Sequence, residues 1–332
     1  MARRGRPAPL PVRAGLNPTR LQVTPGRWQD GGTVADFLAA RFPDDEAQWR
    51  RSLADGDVLD ELGRPVPSVA PAVPGSLLFV YRAAPDDEPV VPFGIDVLHE
   101  DEDLLVVDKP HFLATTPRGT NVVQTVLVRL RAELGLDGLS PAHRLDRLTA
   151  GVLVLTKRAE VRGAYQTLFQ ERAVTKLYEA VAPVRPDLEL PRTVRSRIEK
   201  TPGVLAAVEV AGEPNAQTRV TLVRRWTTTA GEQHGLYRLE PRTGKTHQLR
   251  VHLASLGVPI LGDDLYPTVV ERARDDFSTP LQLLARSIRF ADPFTGEARE
   301  FVSRRSLSAV GLGEAGAHAA ERTSVRAKSS PM

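Results

Sequence analysis

Cysteine is absent from all 332 residues. A chain without thiols has no disulfide, no thiolate-held metal, no iron–sulfur cluster and no cysteine nucleophile. No run of about 18 apolar residues occurs, so no membrane-crossing helix is expected. The basic start, MARRGRPAPLPVRAG, lacks the apolar stretch of a secretory signal, and the expected compartment is the cytoplasm. There is no Walker-type phosphate loop, no dinucleotide-binding glycine fingerprint, no nucleophile-elbow serine and no histidine–glutamate zinc helix. No internal repeat is visible. Lysine is scarce, with six among 44 basic residues. That arginine bias fits phosphate contact through bidentate guanidinium groups, and it fits genome composition equally well.

What is present suits a globular protein. Hydrophobic residues make up 41% and charged residues 26%, enough for a substantial core. Proline (27) and glycine (25) promise many turns. The length suggests two domains, or one large domain with an appendage. The net charge of +3 hides a strong asymmetry: +5 over residues 1–30, −11 over 31–105 and +9 over 106–332. A polyanionic partner would therefore bind the last two-thirds of the chain.

Residues 1–20 read as a flexible basic arm. Segment 32–42 has a helical pattern with Val34, Phe37, Leu38 and Phe42 on one face, and 45–54 forms a second helix around Trp49 and Leu53. Short strands follow, giving a small unit that ends near the acidic, proline-rich stretch 83–94. The larger unit spans about 91–303. It opens on a strand, turn and strand (IDVLHEDEDLLVVDKP), with a helix over 122–134 and a buried strand over 150–156. A second helix over 158–172 carries Val161, Tyr165, Leu168 and Phe169 inward. Strands follow at 176–183, 216–226 and 234–241, then a helix over 245–256 capped after Gly257, and a hairpin of 281–290 with 297–302 closes the unit. The expected class is α+β with a mixed, mainly antiparallel sheet. Residues 304–332 are polar and read as a disordered tail.

Three segments combine charge with tight turns. In AHRLDRLTAGVLVLTK, Asp146 sits between Arg144 and Arg147, just before a buried strand. A carboxylate flanked by guanidinium groups stays ionised and can act as nucleophile or base, although the same pattern also describes a surface ion pair. In PRTGKTHQLRVH, Thr243 and Gly244 turn into a helix N-terminus, which suits an anion, and Lys245 and Arg250 add charge. His247 and His252 with Asp263 and Asp264 invite a metal-dependent hydrolase reading, but five residues is poor ligand spacing on a helix. In VTKLYEA, Tyr178 is either core or a platform for a base.

Taken in order, LLVVDKPHFLATTPRG, HRLDRLTAGVLVLTK, KLYEAV and RTGKTHQLRVHLASLGVPILGDDLYP resemble the RluA branch of the RNA pseudouridine synthases over about residues 91–303. The resemblance implies a catalytic domain with a largely antiparallel sheet framing a basic cleft. It also implies cofactor-free isomerisation of uridine to pseudouridine in ribosomal or transfer RNA, with no metal. On that basis Asp146 matches the essential aspartate, Tyr178 the tyrosine that stacks on uracil, and Arg250 the arginine that pairs with the aspartate. Arg144 matches a residue that displaces the target base, and Leu249 packs beside it. Arg147, Lys245 and His247 complete the expected RNA- and base-contacting set. Lys245 stands where arginine is frequent, while Leu148 and Ala150 depart from the family pattern away from the reacting atoms. Residues 21–85 resemble the small alpha-L RNA-binding module, despite their acidity, with Arg41, Arg50 and Arg51 as a possible local patch. The branch mostly works as monomers. The rival from another class is a non-catalytic RNA-binding protein assisting the folding of these RNAs.

Overall fold

In the N-terminal unit, local signals decide where helices begin. The computed structural model describes residues 10–24, 31–81, 87–201 and 203–310. Contacts divide the chain into one unit of Met1–Glu88 with Arg118–Val123 and Val128–Asp137, and a second of Pro89–Pro117, Gln124–Leu127 and Gly138–Met332. The outer parts of the expected arm and tail, residues 1–9 and 311–332, lie outside the described residues.

The first unit holds β1 (Thr19–Gln22), α1 (Val34–Arg41), a 3-10 turn (Pro43–Asp45), α2 (Glu46–Ala54), β2 (Val58–Leu59) and β3 (Leu77–Val80), with sheet order β1-β3-β2. Helix α1 starts at a reciprocal cap: the Asp36 amide donates to Thr33 Oγ1 at 3.2 Å, and the Thr33 amide donates to the Asp36 carboxylate at 2.8 Å. Val34, Phe37, Leu38, Trp49, Leu53, Val58, Leu78 and Val80 close the core. Residues 10–20 are not a free arm. The Tyr81 hydroxyl donates to Pro11 O at 2.7 Å, and Arg13 pairs with Asp57 at 3.1 Å. Gly15 sits at φ +77° where a Cβ would lie 2.4 Å from Val128 O, so this packing requires glycine.

The second unit runs β4 (Asp96–Glu100), β5 (Leu104–Lys109), the start of α3 (Val126–Leu134), β6 (Ser140–Pro141), β7 (Ala150–Thr156), α4 (Ala159–Gln170), β8 (Thr175–Pro183), β9 (Arg192–Glu199), β10 (Val208–Val210), β11 (Ala216–Thr227), β12 (Gln233–Pro241), α5 (Gln248–Ser255), β13 (Leu283–Ala291) and β14 (Ala298–Val302). Among the described residues, eleven of these strands form one sheet of order β10-β9-β11-β12-β8-β13-β7-β5-β4, with β14 on β13 and β6 on β7. Every pair is antiparallel except β13 with β7, so the expected mixed, mainly antiparallel sheet is the observed one. At that parallel contact Gly151 has φ +111°, and a Cβ there would lie 2.2 Å from Ala285 O.

Register places the chemistry. Leu239, Tyr178, Ala285, Gly151 and Lys109 pair successively across β12, β8, β13, β7 and β5. Residues directly opposite share a face, so Tyr178 and Lys109 project from the same side. Helix α5 covers that side, because Gln248 and His252 both bond Thr218, which follows the same alternation on β11.

Several boundaries differ from expectation. Helix α3 starts at Val126, not 122, because Ala114 O and Thr115 O receive the amides of Val126 and Leu127. Strands β9 and β10 had no clear pattern, since Ile198 is the one buried residue in the two and strands so solvated need no apolar alternation. The ordered chain also continues past 303. Arg305 bonds Asp96 at 2.7 Å and Asp108 O at 3.0 Å, and Leu307 is buried against Val181 and Leu284.

Candidate active site

The loop carrying Asp146 joins β6 to β7 and is held at several successive positions. Thr115 Oγ1 donates to Leu145 O at 2.8 Å and accepts from the Leu145 amide at 3.1 Å. His111 Nδ1 lies 2.7 Å from Leu148 O, and the Thr149 amide donates to Asp146 O at 3.1 Å. Beneath the loop, fully buried Lys109 donates to Pro110 O (2.9 Å), Leu113 O (2.6 Å) and Arg147 O (3.1 Å). Burial pushes its pKa well down, while the charge of Asp146 pushes it back up. Three carbonyl acceptors are matched only by three donors, so the ammonium form fits this cage. Burial also drives His111 to about 4 and His143 to about 3, so both are neutral. His143 Nε2 accepts from the Val154 amide at 3.2 Å, and its ring stacks on Phe169 at 4.5 Å. The loop is therefore rigid on its protein side, and Asp146 is half-exposed on the other.

A second loop enters α5. Gln248 closes it through four hydrogen bonds: it accepts from Thr243 Oγ1 (2.7 Å) and the Lys245 amide (3.1 Å), and donates to Gln217 O (3.0 Å) and Thr218 Oγ1 (2.9 Å). With Gln248 fixed, Leu249 and Arg250 follow on the first turn, both buried. The expected ion pair of Arg250 with Asp146 is not the one formed. Arg250 Nε donates to Asp263 Oδ2 at 2.8 Å, and a terminal nitrogen donates to Asp263 Oδ1 at 2.5 Å and Asp264 Oδ1 at 2.7 Å. Three of its five donors are taken by two adjacent carboxylates, and it acts on Asp146 through its charge. Burial lowers its pKa, but the Asp263 hydrogen bond and charge, then the charges of Asp146 and Asp264, outweigh that and raise it. Tyr266 stacks beside it, the guanidinium carbon lying 5.3 Å from the ring centroid.

Tyr178 is half-buried, and its hydroxyl has no hydrogen-bond partner among the described residues. Burial, and after it the charge of Asp146, raise its pKa, so it stands as a phenol. The charge of Asp146 likewise acts on Lys109, His247, Arg250 and Tyr266. Asp146, Tyr178, His247 and Arg250 thus converge on one place. Arg144 is exposed beside Asp146. Arg147 is half-buried, and burial lowers its pKa against the opposing charge of Asp264. Lys245 is exposed at the mouth of the second loop. The four residues of the metal reading are otherwise engaged: Asp263 and Asp264 hold Arg250, His252 Nδ1 and Nε2 meet Thr218 Oγ1 (2.9 Å) and Ser196 Oγ (3.1 Å), and His247 meets Tyr266.

Sequence reasoning missed the supports: Lys109, His111, Thr115, Gln248 and Tyr266. Lys109 alone carried a signal, as a cation ending the otherwise buried strand LLVVDK.

Comparison with known proteins agrees with this geometry. The family described as RNA pseudouridylate synthase matches residues 103–255, a span that includes Lys109, the Asp146 loop, Tyr178 and α5. An uncharacterized RNA pseudouridine synthase of Synechocystis sp. is 35% identical over 239 residues, 70% of this chain and 79% of that protein. Ribosomal large subunit pseudouridine synthase D of Vibrio vulnificus is 30% identical over 290 residues, 80% of this chain and 83% of that one. Among solved structures, human RNA Pseudouridylate Synthase Domain Containing 1 superposes with a TM-score of 0.52 at 25% identity, covering 66% of this chain and 86% of its own. Fold and site together define an RNA-modifying isomerase. The chain belongs to the RNA pseudouridine synthases, of the RluA type, and its reaction is the conversion of uridine in RNA to pseudouridine.

Proposed function

We propose that the substrate is ribosomal or transfer RNA and that Asp146 is the group that acts on ribose C1′. The observation that carries this is the convergence on Asp146: a half-exposed carboxylate on a clamped loop, with Tyr178, His247 and Arg250 all within reach of its charge. The relatives of the same branch bear names of ribosomal large-subunit and transfer RNA synthases.

The target uridine must leave its stack before C1′ and C5 are accessible, at a cost of a few kcal/mol that is smaller in loops. Exposed Arg144 fills the gap that the flipped base leaves. Uracil stacks on Tyr178 with Leu249 at its edge, and Arg147 and Lys245 meet flanking phosphates. The C1′–N1 bond then breaks, its electron pair passing to uracil N1. Asp146 either bonds C1′ directly or removes a C2′ proton to give the glycal. The base turns over and C5 bonds C1′, as the Asp146–C1′ bond breaks in the first route or as Asp146 returns the proton to C2′ in the second; the C5 proton leaves to solvent and N1 gains a proton, so the product is an isomer. The fixed charge of Arg250 stabilises negative charge developing on the base. The enzyme acts as a monomer in the cytoplasm. Residues 21–85 serve as an alpha-L-like RNA-binding module, in which Arg50 is paired with Glu46 and exposed Arg41 and Arg51 make the contact.

The test is release of tritium from uracil C5 in RNA of a strain lacking the gene. Wild-type protein is expected to release label and Asp146→Asn to release none while still binding RNA. Turnover by Asp146→Asn would refute the assignment. Mapping the product site then names the RNA.

A further inference from the structure

His247 occupies a conformation that side-chain-bearing residues rarely adopt, with φ 55° and ψ 17° at the entry to α5. Such backbone persists where surroundings enforce it, and it concentrates at functional sites. Here the next residue, Gln248, is locked by its four bonds, and the His247 ring meets Tyr266 edge-on at 5.8 Å. Nδ1 lies 3.0 Å from the Tyr266 hydroxyl.

That hydroxyl fixes the tautomer. Its oxygen accepts from the Ala207 amide at 2.7 Å, and its proton goes to Ala207 O at 2.8 Å. A phenol has one proton, and only acceptor capacity remains for the histidine. Nδ1 of His247 therefore carries the hydrogen and donates, leaving Nε2 as a bare acceptor in the neutral ring. Burial favours the neutral ring, against the opposing pull of Asp146. Nε2 has no hydrogen-bond partner among the described residues. His247 itself is half-buried, so its ring is not sealed from solvent.

An acceptor nitrogen and a carboxylate thus share one site, and together they call for a donor on the substrate. Uridine offers uracil N3–H and the ribose hydroxyls. N3 is set apart from the N1–C1′ bond by the C2 carbonyl. The 2′-hydroxyl is attached to C2′, which adjoins C1′, so by either route it lies at the carbons on which Asp146 acts. We propose that His247 Nε2 accepts a hydrogen bond from the 2′-hydroxyl of the target nucleotide, and that Tyr266 is a positioning residue that sets the tautomer and aim of His247. The inference rests on the role given above to Asp146. It places discrimination of ribose from deoxyribose at the reacting nucleotide itself.

The experiment is a protein–substrate cycle in single turnover. The substrate is a synthetic stem-loop carrying the mapped uridine, either as ribose or with 2′-deoxyuridine at that position alone. The proteins are wild type, His247→Ala, Tyr266→Phe and Asp146→Asn. Wild type is expected to lose about tenfold or more in rate on the deoxy substrate, the scale of one lost hydrogen bond. The His247 and Tyr266 variants should lose a similar factor on the ribose substrate, keep their RNA dissociation constants, and lose nothing further on the deoxy substrate. Multiplying losses would overturn the proposal, as would a wild type indifferent to the 2′-hydroxyl. Equal losses on both substrates with weakened RNA binding would show that Tyr266 merely supports Ala207, and would also overturn it. Turnover by Asp146→Asn would instead refute the role of Asp146, a distinguishable failure.

Discussion

Replacing Asp263 by Asn should damage this protein far more than replacing Asp146. The side chains of Arg250 and Asp263 are 3% and 1% exposed, and they share two hydrogen bonds of 2.8 and 2.5 Å. Asp263→Asn keeps the shape but removes the charge, leaving a buried guanidinium with Asp264 as its remaining direct ion-pair partner. Breaking one side of a buried pair costs about 3–5 kcal/mol. For a unit of this size each kcal/mol moves the melting temperature by about 2–4 °C, so a fall of roughly 6–20 °C is expected. Asp264 is 23% exposed, and solvent screening reduces the effect of Asp264→Asn to about 1 kcal/mol or less. Asp146 touches Arg250 only through its field, so Asp146→Asn should melt within about 2 °C of wild type. Thermal unfolding by circular dichroism, beside tritium release, separates the cases: Asp146→Asn stable and inactive, Asp263→Asn unstable, Asp264→Asn close to wild type in stability. Equal destabilisation by Asp146→Asn and Asp263→Asn would refute this account of what Arg250 holds.

Acid should unfold the protein through two half-buried histidines, His111 and His143. His111 and His143 are held to about 4 and about 3, below the ordinary 6.5, so the unfolded chain binds more protons as pH falls from 6.5. Each group then removes about 1.4 kcal/mol per pH unit, down to about pH 4 for His111 and lower for His143. Urea titrations of wild type and His111→Asn should show a shallower slope in the variant between pH 6.5 and 4, and identical slopes would contradict the burial argument. Gly151→Ala forces a Cβ to 2.2 Å from Ala285 O at φ +111°, so a loss of at least about 3 kcal/mol or no soluble protein is expected on expression. Gln248→Leu removes four hydrogen bonds, for about 2–5 kcal/mol in denaturant unfolding, and should lower turnover more than RNA affinity because Leu249 and Arg250 lose their anchor. An unchanged stability would mean that the loop is held otherwise.

Much of the architecture was legible from local pattern. Val34, Phe37 and Leu38 mark the inner face of α1, and Val161 and Tyr165 that of α4. The runs LLVVDK and AGVLVLT are continuous because both strands are covered on both sides. Strand β9 was illegible because Ile198 alone in RTVRSRIE is buried and its pairing to β11 is a long-range choice. Residues 10–20 and 304–310 looked polar and loose, yet Arg13 and Arg305 are bound by Asp57 and Asp96, partners far along the chain.

The same division holds at the site. Chain order alone determined that Asp146 stands beside Arg144 and Arg147 before a buried strand, and that a turn delivers Leu249 and Arg250 to the start of a helix. These are local facts, set by residue type and short-range geometry. Only the tertiary structure decided who meets whom. Register set Tyr178 and Lys109 in one row, three carbonyls gathered around Lys109, and Asp263 with Asp264 took Arg250 from the partner expected for it. A buried charge takes the counter-charge that folding brings within about 3 Å, and that distance depends on packing between segments far apart in sequence.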